Sequence, residues 1–305
     1  CVGKYTITTA DIQAMLKGEQ VQEMTRKVFT TLRLPRTVMA LIAGVGLGIA
    51  GSVYQIIFKN PLASPDIIGI AGGANLGAAV SVSTSGMIAI AAGAFWGGLI
   101  AVVCVMLLVK ATRSRSTSTY VLAGIVINAI SKAAIMALKY FADPENELAA
   151  MEYWEMGTFG NTTLSKLLSI RPMFLIGLAG ILLLRRQIEL MSLSDNECRA
   201  LGVRLRPVRA AVLALSTLMV GSIISVTGLI SFAGLIAPHT ARLMLRRNDS
   251  TTIIMSGLVG AFVVLTADIL ARVLYSAELP ISILTTVIGV PILIYFLCAR
   301  GKDVS

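Results

Sequence analysis

The sequence predicts an all-α, polytopic membrane protein, and three observations carry that prediction. Hydrophobic residues make up 56% of the 305-residue chain and charged residues only 14%. The mean hydropathy is +0.82, so the chain holds more apolar surface than a soluble domain of this size could bury. The segment Met87–Val109 contains no charged residue and is long enough to cross a hydrocarbon core of about 30 Å as a helix. Segments of the same kind recur on both sides of it.

Read in order, these segments give about nine transmembrane helices. Thr37–Phe58 is glycine-rich and stops at Lys59. Ile67–Val82 follows the turn-forming "NPLASPD", and Met87–Val109 is the charge-free span. Tyr120–Phe141 carries Lys132 and Lys139. Leu167–Leu184 is interrupted by Arg171 and Pro172. Ala210–Leu229 and Ser231–Leu245 run together through Gly228, so a tight turn must separate them. Ile253–Tyr275 holds Asp268 and Arg272, and Ile281–Cys298 closes the series.

Basic residues orient the spans. Lys59, then Lys110, Arg113 and Arg115, then the run from Arg185 to Arg209, then Arg246 and Arg247, follow alternate spans, and Arg300 and Lys302 lie in the tail. By the positive-inside rule these loops and the C-terminus face the cytoplasm. The stretch "ADPENELAAMEYWEMG" has five acidic residues and no Lys or Arg, which places it outside. Residues 1–36 then also lie outside, and the chain begins with Cys1, so a preceding span is expected to be missing from this sequence. The predicted organisation is an external segment over residues 1–36 and one transmembrane domain over 37–300. That domain includes a long cytoplasmic loop at about 185–209, and residues 301–305 form a cytoplasmic tail.

With a lipid bilayer as the surroundings that composition predicts, the net charge of +10, scattered over loops and not gathered on one soluble face, is a topology signal and predicts no nucleic-acid partner. His239 is the single histidine. Without converging ligands it supplies no metal site, and no nucleophile elbow, HExxH pair or phosphate-binding loop occurs. No catalytic residue is expected. Glycines recur at helical spacing in "GVGLGIAG" (from Gly44), "GIAGGANLG" (from Gly69) and "GAFWGG" (from Gly93). They suit either close helix packing or a moving multi-helix path.

Five separated motifs carry a resemblance: "RLPRTVMALIAGVGLGIAGSVYQIIFKNPLASPDIIGIAGGA", "ECRALGV", "GLISFAGLIAPHTAR", "TADILAR" and "ELPISILTTVIGVP". Across nearly the whole chain they resemble the FecCD-type (type II) permeases of ATP-binding-cassette importers for iron-siderophores, haem and cobalamin. The resemblance implies ten spans with both ends cytoplasmic, the first being absent here. It implies a permease homodimer on two ATPase subunits that bind the ATP and magnesium, a substrate-binding protein outside, and a bacterial or archaeal plasma membrane. No cofactor is expected on this chain. An ion-coupled secondary transporter or channel is the alternative, with Asp268 as its one deep acid.

The resemblance also implies roles for particular residues. Arg33 and Arg36 at the outer mouth, with Arg272, would dock glutamates of the binding protein, since guanidinium–carboxylate pairs orient a partner. Headgroup anchoring competes for the first two, and an i, i+4 pair with Asp268 competes for Arg272. In the 185–209 loop, Asp195 is expected to cap a short helix over Glu197–Leu201 that ends at Gly202. Asp195, Glu197, Ala200, Leu201, Gly202 and Val203 would engage the ATPase. Asn60 and Leu62, with Ser116, Thr117 and Ser118, match a cytoplasmic gate, though helix capping explains them as well. The resemblance implies that a small residue is more usual at the position of Lys132, which lines the pathway or points between helices. His239, after Pro238, is read as structural or as part of a hinge.

Overall fold

A computed structural model describes residues 5–85, 89–112, 117–275 and 278–302 of the chain. Its elements are all helical among the described residues. Helix α1 (Thr9–Lys17) opens with a Thr8–Asp11 capping box and closes at left-handed Gly18. A continuous helix then runs over Glu23–Ile57 as α2 (Glu23–Lys27), a π-helical turn (Val28–Arg33) and α3 (Leu34–Ile57). The π turn sits just before Pro35, which has no N–H to give the carbonyl one turn back, and absorbs that lost bond. This helix starts fourteen residues before the predicted Thr37. Arg33 and Arg36 therefore lie on helix and not in a flanking segment.

The remaining helices are α4 (Ile70–Ser85), α5 (Ile90–Ala111), α6 (Thr117–Phe141), α7 (Ala149–Met156), α8 (Leu164–Leu183), α9 (Arg185–Leu190), α10 (Asp195–Ala200), α11 (Leu205–Thr227), α12 (Ala233–Leu245), α13 (Ser250–Val273) and α14 (Ile281–Lys302). Helix α3 is the buried centre, packed mainly against α13 and α12; α4 pairs with α5, and α8 with α11. The predicted glycines make these approaches possible. A Cβ on Gly44 would strike the carbonyl of Gly260 on α13, and one on Gly51 that of Gly234 on α12. Gly73 and Gly77 meet Gly97 and Gly93 in the same way between α4 and α5. Helices in lipid gain little from apolar burial alone, so such backbone proximity is where their packing energy arises.

Each of the nine predicted spans falls on a helix, and among the described residues six helices are long and apolar enough to cross a membrane: Glu23–Ile57, Ile90–Ala111, Ser118–Phe141, Leu164–Leu183, Leu205–Thr227 and Ser250–Val273. Helix α4 has 16 residues and α12 has 13. At a rise of 1.5 Å per residue these reach about 24 and 20 Å, short of the hydrocarbon core. The apolar run of α14 spans Ile281–Tyr295. Helix α12 is short because residues 228–232 are not helical: Gly228 and Phe232 both hold left-handed backbone, φ 69° and 64°. A Cβ on Gly228 would meet the Trp154 carbonyl, so glycine is required there. Helix α8 runs unbroken through Pro172.

Candidate functional site

Polar side chains gather at the two ends of the bundle. At one end, α3 contributes Arg36 and α13 contributes Asp268 and Arg272. Arg36 Nε donates to Asp268 Oδ1 at 2.8 Å, and Arg36 Nη1 donates to Glu278 Oε1 at 2.6 Å. Arg272 Nη2 lies 2.8 Å from Asp268 Oδ2. Asp268 is fully buried. A lone carboxylate there would be prohibitively costly, and two guanidiniums, one on each oxygen, make it tenable. Arg33 donates to the Tyr5 carbonyl, and a cavity of about 270 Å³ opens between Tyr5, Arg33, Arg36, Arg272, Tyr275 and Glu278.

The structure thus brings the three arginines together at one cavity and gives Arg36 and Arg272 acidic partners within the chain. The Arg272–Asp268 pair was readable from its spacing. Glu278 was missed, although it opens the quoted motif "ELPISILTTVIGVP". No local pattern pairs it with a residue 242 positions away.

The opposite end holds the 185–209 segment. The cap of α10 is Ser194, not the expected Asp195, and the helix spans Asp195–Ala200 in place of Glu197–Leu201. Ser194 Oγ accepts from Glu197 N at 3.3 Å while Glu197 Oε2 accepts from Ser194 N at 2.8 Å. This reciprocal box needs Ser and Glu three apart, which leaves Asp195 free to reach outward. The Ser194 hydroxyl and N–H hold the Glu197 carboxyl below its usual value. Gly202, at φ 79°, ends the turn. Cys198 is buried, and its thiol reaches the Leu190 carbonyl at 2.9 Å, folding α10 back on α9. Leu201 is exposed and Val203 half-buried.

Asp195 Oδ1 accepts from Lys59 Nζ at 3.0 Å and lies 3.9 Å from Arg209 Nη2. The Lys59 hydrogen bond keeps its carboxyl below the ordinary range. Next to Lys59, Asn60 Oδ1 accepts from Leu62 N at 2.9 Å, an Asx turn that leaves Leu62 exposed. Thr117 and Ser118 begin α6. Ser116 lies outside the described residues.

His239 Nδ1 sits 2.9 Å from Arg242 Nη2. A guanidinium only donates, so Nδ1 is the acceptor in this contact. Arg242 also bonds Gln55 of α3, so the histidine braces a link between α12 and α3. No group of three or more His, Cys, Asp or Glu residues that could hold a metal occurs among the described residues. Lys132 is exposed on α6, on the face shared by Ile125, Ala129 and Met136. Lys139 binds Glu152 and Glu155 at 2.8 and 2.7 Å.

The model of the FecCD transport family matches residues 1–299. The molybdate import system permease protein MolB of Haemophilus influenzae is 32% identical, over 99% of this chain and 92% of its own length. The hemin transport system permease protein HmuU of Yersinia pestis is 33% identical, over 91% and 85%. A solved structure of an ABC transporter of metal-chelate type, in an inward-facing conformation, superposes with a TM-score of 0.85 at 32% identity, covering 97% of this chain and 92% of the other.

Proposed function

The chain belongs to the FecCD transport family and is a permease subunit of an ATP-binding-cassette importer; from that premise we propose that it moves an iron-siderophore or a related metal chelate such as haem or cobalamin. The observation that carries the proposal is the separation of two polar ends on one apolar bundle. An arginine-rich cavity lies at one end and a capped, partly apolar protrusion at the other. In this reading two copies pair about a central path, two ATPase subunits bind ATP and magnesium inside, and a binding protein delivers cargo outside. The arginine end faces out and the Lys59 end faces the cytoplasm, with the C-terminus, in keeping with the positive-inside rule. Helices α4, α12 and α14 complete nine crossings by packing against longer neighbours.

Alternating access follows from that arrangement. The binding protein docks at Arg33, Arg36 and Arg272, and cargo enters the path. ATP-driven movement of α10 opens a gate formed by Asn60 and Leu62 with Ser116, Thr117 and Ser118. Leu201 and Val203 supply the apolar contact to the ATPase, and the buried Cys198 keeps the protrusion folded. Lys132 faces the path, where an ammonium set in an apolar face attracts an anionic chelate. The organic and metal bonds of the cargo are not changed.

The test is to replace Cys198–Val203 by a Gly/Ser linker. Membrane insertion is expected to survive, while recovery of the ATPase with the permease falls at least about tenfold, the loss of roughly 1.4 kcal/mol of contact. Undiminished co-purification would refute the coupling assignment. At the other end, Arg33→Gln and Arg272→Gln should each weaken association with the binding protein by about tenfold, since the lost pairs are partly desolvated. ATPase recovery should not change. Wild-type affinity in both variants would reduce these arginines to anchors of the bundle.

A further inference from the structure

Contacts at the Lys59 end close into a ring that no single helix explains. Asp195, the first residue of α10, binds Lys59 at 3.0 Å and faces Arg209 at 3.9 Å. Arg209, at the start of α11, lays its guanidinium 5.7 Å from the centre of the Tyr120 ring, within cation–π range. Tyr120 in turn packs on Phe58, ring centres 6.2 Å apart, and Phe58 is bonded to Lys59. The ring therefore runs Asp195, Lys59, Phe58, Tyr120, Arg209 and back to Asp195. Lys59 directly precedes Asn60–Leu62, and Tyr120 comes two residues after Ser118.

Three features mark this ring as poised for movement. Lys59 holds left-handed backbone at φ 47°, a conformation disfavoured for a side chain with a Cβ and kept only when its surroundings enforce it. It ends α3 with hydrogen bonds from Lys59 N to Ile56 O and from Asn60 N to Gln55 O, both 3.2 Å. Arg209 is buried, yet its Nε has no hydrogen-bond partner among the described residues. The loose 3.9 Å pair leaves that guanidinium free to close further on Asp195. A cavity of about 260 Å³ borders Lys59, Asn60, Pro61 and Ser192, giving the segment room to shift.

We infer that Asp195 is the node through which displacement of α10 reaches both gate segments at once, by Lys59 to Asn60–Leu62 and by Arg209 and Tyr120 to the start of α6. Lys59, Arg209 and Tyr120 are positioning residues that touch neither cargo nor nucleotide. The inference rests on the coupling and gate assignments made above. Its physical basis is geometric: a carboxylate shared by two cations on different helices cannot follow α10 without pulling at least one of them. A pair screened by solvent transmits less than a buried one: Lys59 and Asp195 are each about a third exposed, whereas Arg209 is buried and Tyr120 half-buried.

The experiment uses the permease–ATPase complex in detergent. Leu62, exposed, is changed to cysteine (L62C), and its labelling by a polar maleimide is read as the excess over the same complex without L62C, with and without ATP and magnesium. Nucleotide is expected to change the rate in the L62C parent. In L62C/K59Q and L62C/Y120L that response should shrink about fivefold, with ATPase recovery and hydrolysis unchanged. L62C/K59R, which keeps the ion pair, should respond as the parent does. A full response in both K59Q and Y120L overturns the inference and leaves the coupling and gate assignments standing. No response in the parent itself overturns the gate assignment and the inference with it. Loss of ATPase recovery in K59Q also overturns it, because Lys59 would then belong to the docking surface.

Discussion

Asp268→Ala is expected to destabilise the permease by about 3–5 kcal/mol, the cost of leaving buried charges without their counter-ion. Asp268 is wholly buried and holds Arg36 and Arg272 on its two oxygens. Removing it leaves Glu278, whose side chain is 45% exposed, as the remaining acidic partner of Arg36, while Arg272 loses the carboxylate one turn back. The helices it joins, α3 and α13, form the most extensive contact in the bundle, so the loss should appear as lower thermal stability of detergent-solubilised protein. Asp268→Asn keeps the shape and one acceptor and should fall between wild type and Asp268→Ala. The double variant Asp268→Ala with Arg272→Met removes the cation that has lost its carboxylate and should recover part of the loss. Melting of Asp268→Ala at the wild-type temperature would mean that the cluster is solvated and contributes little.

That cluster also marks where the sequence stopped being informative. Each apolar run picked out by hydropathy falls on a helix, because such a run leaves a local trace. Hydropathy placed the start of the first too late, since Glu23, Arg26 and Lys27 lower the average while still forming a helix. Their i, i+4 pair, Lys27 to Glu23 at 2.6 Å, supports that extension. Hydropathy also could not separate a helix long enough to cross by itself from a shorter one. The extended residues before α12 depend on left-handed Phe232, which no propensity favours.

At the site, contacts within one turn were legible and contacts across helices were not. The spacing of Asp268 and Arg272 announces their pair, but Arg36 and Asp268 are 232 residues apart. The cap of α10 was misassigned because both Ser194 and Asp195 are good capping residues. Only the Ser-x-x-Glu spacing, which forms the reciprocal box, favours Ser194. Lys59 was read as a topology marker, and its bond to Asp195 became visible only when both loops were placed at one end.

Gly48→Leu should prevent recovery of folded permease, and Gly48→Ala should be destabilising where an ordinary helical glycine would gain from the change. A Cβ at Gly48 would overlap the carbonyl oxygen of Ser256 on α13, with the Ser256 carbonyl carbon at 2.8 Å and Gly257 Cα at 3.2 Å. These are backbone atoms and cannot rotate away, so α3 and α13 would have to part along their length. Parting them would open the Gly44–Gly260 approach one turn away and stretch the Arg36–Asp268 pair, and lipid offers no compensating apolar gain. Overpacking of a close contact costs about 1–3 kcal/mol for a methyl group and more for a larger side chain. Gly221 on α11 is the control: a Cβ there would meet only the Phe95 ring, at 3.8 Å. Gly221→Ala should therefore be neutral or stabilising by up to about 1 kcal/mol through helix propensity. Thermal unfolding of the two alanine variants side by side decides the matter. If both shift equally, the α3–α13 interface is loose, and glycine at position 48 serves backbone flexibility instead of close packing.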